Sequence, residues 1–380
     1  MFESSVSFIR NLFPKEDFIP LHTPQFDEKE KELLCECIDS TFVSSVGKFV
    51  GLFEQKVANF TGAKHAIALV NGTQALFLAL KLANVRRETE VITQSLTFIA
   101  TANTISYAGA TPIFLDVDRD TFGLSPKALS DFLEKNTIQK NGCCWNRITE
   151  KQITACIPMH TFGHPCRIEE IKQLCENHNI FLVEDSAESL GSYYRQKHTG
   201  RFGKLGIFSF NGNKIITTGG GGMIITDDED LAQKAKHLST TAKENHPWEF
   251  IHNEIGFNYR MPNINAALGV AQMEKLPNYI KSKRELTQLY KDFFASENIK
   301  FLKEPDNCHS NYWLNAVILK DKIERDHFLK VTNNHAIMTR CLWRPMHMLP
   351  MFRDCQTDAL GNTEYLYNRV VNIPSSVREQ

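Results

Sequence analysis

Short apolar runs alternate with amphipathic stretches along most of this chain, and that alternation limits the fold more than any other feature. Runs of strand length fall at 66–70, 90–93, 111–116, 153–159, 180–184, 206–210 and 222–226. Helical spacing marks 27–39, where Leu33, Leu34, Cys37 and Ile38 recur, and a second stretch through Phe53, Val57 and Phe60. It returns in the stretch carrying Ala75, Leu76, Ala79, Leu80 and Ala83, and at 97–107, 168–178 and 228–237. A strand apolar at successive positions is buried on both faces, as in a sheet covered by helices on each side. The pattern therefore predicts an α/β fold around one large, mostly parallel sheet.

Other stretches depart from this rhythm. Residues 1–20 read as an N-terminal extension with no assigned structure. Residues 126–150 are polar and less regular. Residues 239–262 read as one long loop, and loops of that length in compact domains are more often functional than accidental. From Asn263 to about Ser296 the pattern is helical, with Pro277 expected to start or kink a helix. A strand-like run at 311–319 and a helix at 324–334 follow. The expected division is an extension (1–20), a large domain (21–262) and a smaller α+β C-terminal domain (263–380).

Composition narrows the partners. The 380 residues are 42% apolar and 23% charged, with a formal net charge of −1. That balance offers no broad field for nucleic acid or a membrane surface, so a small anionic ligand needs a local site. The ten cysteines form no paired CxxC sets at zinc spacing, and no metal site is expected. Reduced thiols in a reducing cytosol are the expectation instead. The opening MFESSVSFIRNLFPKEDF is broken by Arg10, Pro14 and charges, unlike a signal peptide. No stretch approaches the roughly 20 apolar residues of a membrane span. A cytoplasmic protein is expected.

Four segments carry chemistry. Asn71-Gly72-Thr73-Gln74 lies between a strand and a helix. A helix N-terminus presents free N–H groups and partial positive charge, which suits a phosphate; a plain helix cap is the alternative. Val183-Glu184-Asp185-Ser186-Ala187-Glu188 ends a buried strand, where open α/β sheets bind ligands. An Asp there can keep a pyridinium nitrogen protonated, or simply cap a helix; spacing leaves open whether Glu184 or Asp185 faces the crevice. Phe208-Ser209-Phe210-Asn211-Gly212-Asn213-Lys214 runs a strand into a turn carrying one lysine, ahead of a glycine run at 219–222. Ser209 and the turn amides can bind phosphate, and Lys214 can form an imine with an aldehyde; a solvated surface lysine is the bland alternative. The glycine run argues for close backbone approach, and the segment lacks the GxxxxGK[ST] order of a nucleotide loop. Gly256-Phe257-Asn258-Tyr259-Arg260-Met261 closes the long loop and can complete a site, even across a subunit boundary. Phe98, where a strand gives way to a helix, can stack on an aromatic ring, although taken alone it reads as core.

Taken together, and above all in EDSAESLG followed by FSFNGNKIITTGGGGM, these segments resemble the DegT/DnrJ/EryC1/StrS family of sugar aminotransferases. The resemblance runs from about Ile19 to the Asn-Ile-Pro-Ser-Ser at 372–376. It implies the aspartate-aminotransferase fold (fold type I of pyridoxal 5'-phosphate, PLP, enzymes). It also implies ping-pong transfer of an amino group from glutamate to a nucleotide-linked keto-sugar, in a homodimer with shared sites. Lys214 matches the family's imine-forming lysine and Asp185 the carboxylate at the pyridine nitrogen. Glu188 stands where relatives place Gln, His or Glu near the phenolic oxygen. Phe98 matches the stacking aromatic. Gly72, Thr73 and Gln74, with Ser209 and Asn211, fall in the cofactor-binding segments, and Asn258 matches an asparagine reaching the phosphate from the neighbouring subunit. Relatives with His in place of the lysine are dehydratases, and Lys214 argues against that here. The phrases VSSVGKFV, NGTQAL, SFNGNKIITTGGGGM, HNEIGFNYRM and RPMHMLPMF are similar to enzymes aminating C4 of UDP-linked 4-keto-6-deoxy-N-acetylhexosamine. Phe42 departs from the Trp or Tyr that the resemblance leads one to expect before VSS; if that position touches the sugar, the departure bears on which sugar is taken. A 3-keto-sugar aminotransferase and a non-catalytic PLP-binding protein of the same fold are the alternatives.

Overall fold

The computed structural model describes residues 2–378. All seven expected central strands are present, in a nine-stranded sheet. Their order across it is His65–Leu69, Gly222–Thr226, Leu205–Ser209, Phe181–Asp185, Gln152–Ile157, Thr89–Gln94 and Thr111–Leu115. Only Gly222–Thr226 runs against the other six. The carboxyl ends of six strands therefore share one edge, and the start of the reversed strand joins them there.

The alternation of side chains shows why these runs are apolar throughout. Ala68, Phe208, Met223 and Ile225 enter one core, with Phe53, Val57 and Ala267. Their neighbours Ile67, Leu69, Ile207 and Ile224 enter a second core on the opposite face, with Leu76, Ala79 and Ala235. Successive residues of one strand thus serve different helical layers.

Three expectations are corrected. Residues 126–150 hold the helix Pro126–Asn136, capped by Ser125, and a hairpin of Thr137–Lys140 with Cys143–Asn146. The hairpin pairs with the sheet through Cys144 and Trp145. Its mixed polarity reflects a half-exposed edge, not a lack of structure. The extension contains the helix Glu3–Leu12, and its Phe2, Val6, Ile9 and Phe13 share a core with Leu286, Tyr290, Phe294 and Phe328. Phe8 stacks on Phe293 with ring centroids 4.0 Å apart. The strand expected over 311–319 is confined to Asn315–Ile318.

Asn263–Ser296 is a single helix of 34 residues, about 50 Å long. It runs through Pro277 and starts no new helix there. Its first half packs through Ala266, Ala267, Val270 and Ala271 into the core holding Phe53, and its second half through Leu286, Tyr290 and Phe294 into the core under a second sheet. That sheet has four strands, ordered Lys300–Phe301, Asn315–Ile318, Val370–Ile373 and Arg340–Cys341. Among the described residues, no helix is long and apolar enough to cross a membrane. All ten cysteines are unpaired.

Candidate active site at the carboxyl edge of the sheet

Backbone crowding builds the first part of the site. The helix Gly72–Leu82 begins at this edge, where the Asn71 side chain accepts from the Gln74 N–H at 2.8 Å. Helix geometry leaves the Gly72 and Thr73 N–H groups without intrahelical partners. A Cβ on Gly72 would come within 2.9 Å of Ser209 Cβ, and one on Gly222 within 2.3 Å of the Asn71 oxygen. Side chains are excluded at both positions, so two strands and a helix start converge on one small cradle. Ser209 Oγ faces it and accepts from the Asn211 N–H at 3.4 Å. Gln74 Oε1 is buried and has no partner among the described residues. The Asn211 side chain turns away to Asn213 at 3.2 Å.

Asp185 supplies the second part. It is 2% exposed; Oδ2 accepts from Thr101 Oγ at 2.7 Å and Oδ1 from the Ala187 N–H at 3.2 Å. Burial raises its pKa, and the Thr101 hydrogen bond is the largest opposing influence. Two neutral donors do not repay the desolvation of a carboxylate, so the site favours a cation against Asp185. Glu184 points to the other side. It accepts from the Gly200, Phe202 and Gly203 N–H groups and bonds His160 Nε2 at 3.0 Å. His160 Nδ1 accepts from the Cys166 N–H at 3.2 Å, which places the ring proton on Nε2. The ambiguity left by strand spacing is thereby settled: Asp185 faces the crevice and Glu184 braces the fold.

Lys214 is the third part. Its side chain is 12% exposed, and Nζ lies 3.3 Å from Glu188 Oε1. Burial pushes the Glu188 carboxyl up to about 7 against the pull of Lys214. The other oxygen of Glu188 accepts from the Phe162 N–H at 2.9 Å. Phe162 is buried with φ of 58°, a conformation costing a non-glycine residue about 1–3 kcal/mol. That strained turn aims a backbone donor at the carboxylate beside the lysine.

Phe98 and Asn258 occupy the margins. Phe98 is 46% exposed at the start of the helix Ile99–Tyr107, with its ring 6.2 Å from Trp343. It is therefore not core, contrary to the reading of the residue taken alone. Asn258 is exposed, and among the described residues it pairs through its backbone alone, in a bridge with Thr240. Thr101, Phe162, Asn311 and Trp313 also join the site and were missed by the sequence reading. Thr101 sits one helical turn beyond Phe98, a spacing that could have flagged it.

An anion cradle, a buried carboxylate lacking its cation and a sheltered amine make complementary demands. A phosphorylated pyridine aldehyde would meet all three: the glycine-lined helix start would hold its phosphate, Asp185 its protonated nitrogen and Lys214 its aldehyde. The fold and this edge thus define the class of PLP-dependent transferases.

The DegT/DnrJ/EryC1/StrS aminotransferase family matches residues 24–378, and the chain belongs to it. It is a PLP-dependent aminotransferase. GDP-perosamine synthase of Escherichia coli O157:H7 is 38% identical over 94% of this chain and 93% of its own length. EpsN of Bacillus subtilis (strain 168), provisionally named a pyridoxal phosphate-dependent aminotransferase, is 36% identical over 94% of this chain and 90% of its own. The structure of Helicobacter pylori PseC, an aminotransferase of pseudoaminic acid biosynthesis, superposes with a TM-score of 0.85 at 25% identity, covering 94% of this chain and 93% of that one.

Proposed function

We propose that the chain transfers the amino group of glutamate to the C4 ketone of a nucleotide-linked 4-keto-6-deoxy sugar. The observation that carries the chemistry is the sheltered amine of Lys214, beside Glu188 and on the same sheet edge as Asp185 and the glycine cradle. When bound, PLP supplies an electron sink for the carbanion of the amino donor. Asp185 holds the ring-nitrogen proton, and Lys214 Nζ, once free, takes the α-proton of glutamate and returns it. Glu188 and Phe98 orient the ring, while Gly72, Thr73, Gln74 and Ser209 hold the phosphate.

The nucleotide and sugar are the finer part of the proposal. Several phrases around the site resemble enzymes acting on UDP-2-acetamido-2,6-dideoxy-4-hexulose, but the most specific of them surround Lys214 and report on the cofactor. Relatives from three bacteria, 33–38% identical over 94% of this chain, carry the name GDP-perosamine synthase. Whole-chain identity samples the sugar pocket as well as the cofactor segments, so it favours a GDP-linked substrate. The test offers the purified protein, with PLP and glutamate, both UDP-linked and GDP-linked 4-keto-6-deoxy sugars and a 3-keto sugar. Mass spectrometry and NMR of the products are expected to show an amine at C4, with the GDP-linked sugar consumed fastest. Amination only at C3, or no amine from any of the three, overturns the reading.

A homodimer with shared sites belongs to the same proposal. The loop after Ser239 is pinned by backbone bridges Thr240–Asn258 and Lys243–His252. It holds Trp248, Phe250 and Ile255 at 80–87% exposure. An apolar arm so displayed is suited to burial against a second copy, with Asn258 at its base. Lys214→Ala and Asn258→Ala proteins, each inactive, are expected to regain up to about a quarter of wild-type activity when subunits are exchanged, because mixed dimers carry one intact site. No recovery despite exchange confirmed by native mass spectrometry would count against shared sites.

A further inference from the structure

Trp313 lies just before the strand Asn315–Ile318 and is 4% exposed. The Lys214 Nζ sits over its ring, 4.1 Å from the centroid. The indole N–H donates to the Asn213 carbonyl at 2.7 Å, so the ring also grips the backbone that carries Lys214. Two further bonds fix Trp313 in place. Its N–H donates to Asn311 Oδ1 at 2.8 Å, and its carbonyl accepts from Lys283 Nζ at 3.1 Å. Lys283 is fully buried and ties the same point to the Ser375 carbonyl. Asn311 meanwhile donates to the Glu188 and Leu190 carbonyls at 2.9 Å. One asparagine therefore holds both walls of the slot around the Lys214 amine: the Trp313 ring and the Glu188 segment.

We propose that Trp313 is a positioning residue whose ring face, together with Glu188, holds the Lys214 ammonium while the lysine is free of the cofactor. This rests on the reading of Lys214 as the cofactor lysine. During each half of the exchange that amine must be released, yet remain within reach to return its proton. A carboxylate on both sides would hold the cation but also compete for the proton. An aromatic face attracts a cation through its quadrupole and accepts no proton. Burial pushes the buried Lys283 down to about 7, which makes the neutral amine accessible and suits a brace that bonds only carbonyls. A filler role in the core explains the burial of Trp313; it does not require a cation over its face.

The test measures the pH profile of Lys214 reductive methylation by formaldehyde and cyanoborohydride in cofactor-free protein, read by mass spectrometry of the Lys214 peptide. Trp313→Leu is expected to move the midpoint down by about half to one pH unit, a three- to tenfold faster labelling near neutral pH. Trp313→Phe keeps a ring face and is expected to stay within about 0.3 unit of wild type. Protein grown with increasingly fluorinated tryptophan keeps the indole shape while weakening its negative face, and the midpoint should fall stepwise. That series serves if Trp313→Leu does not fold. An unchanged profile in folded Trp313→Leu, or no trend across the fluorinated series, overturns the proposal. Added PLP should protect Lys214 of the wild-type protein from labelling; absence of protection removes the assignment of Lys214, independently of Trp313.

Discussion

Lys214→Ala is expected to lower turnover by on the order of 10⁴-fold or more, because the proposed reaction uses this one side chain both as covalent anchor and as proton carrier. The bound cofactor should also lose the visible absorbance that marks its attachment to the protein. Fold stability should change little. Lys214 is the ion-pair partner of a buried Glu188 whose carboxyl already lies at about 7, so loss of the lysine lets Glu188 take up a proton instead of leaving a bare charge. Lys214→Arg separates charge from chemistry. Arginine keeps a cation in the slot but stays protonated at any working pH, so it can neither attack an aldehyde nor accept a proton. It is expected to be as inactive as the alanine variant. The checks are steady-state turnover with glutamate and keto-sugar, and the absorbance change when glutamate alone is added. Normal turnover in Lys214→Ala, or activity restored by arginine, would remove Lys214 from the chemistry.

Legibility in the sequence followed burial. The seven central strands could be read because both of their faces are covered, which forces apolar residues at successive positions. The hairpin Thr137–Lys140 with Cys143–Asn146 could not, because an exposed edge tolerates Gln139 and Lys140. The first helix did carry a signal, Phe2, Val6, Ile9 and Phe13 at helical spacing, but Arg10 and Pro14 masked it. Within the site, residues next to glycine or at strand ends were legible, since strand-turn-helix punctuation marks the edge of a parallel sheet. Glu184 and Asp185 could not be told apart, as adjacent strand residues face opposite sides and both carboxylates are buried. Thr101 was hidden for a topological reason. It follows the strand Thr89–Gln94, which lies two places from Phe181–Asp185 in the sheet, so its bond to Asp185 depends on strand order. Trp313 was hidden likewise, because only the packing of the second sheet's approach against the lysine turn brings it to Nζ.

Asp185→Asn is the substitution that isolates charge from shape. Asparagine can keep its oxygen on the Ala187 N–H and donate its amide to Thr101 Oγ, whose hydroxyl can accept as well as donate, so the geometry at this edge should persist. It cannot hold a proton on the pyridine nitrogen by ion pairing, and kcat is expected to fall about 10²- to 10³-fold with PLP still bound. Stability should move the other way in the cofactor-free protein. Burial raises the Asp185 carboxyl in the folded state, so its stabilising contribution is complete below the unfolded carboxylate value and is lost as pH rises through the folded one. At neutral pH the cofactor-free wild type therefore carries the cost of an unpaired buried charge, and Asp185→Asn does not. The variant should melt higher than wild type near pH 7 without PLP, and the difference should vanish below about pH 4. Adding PLP should raise the wild-type melting temperature more than that of the variant, since the pyridinium repays a carboxylate and not an amide. Equal cofactor-induced shifts in the two proteins, together with unimpaired kcat, would mean that Asp185 does not meet the ring nitrogen.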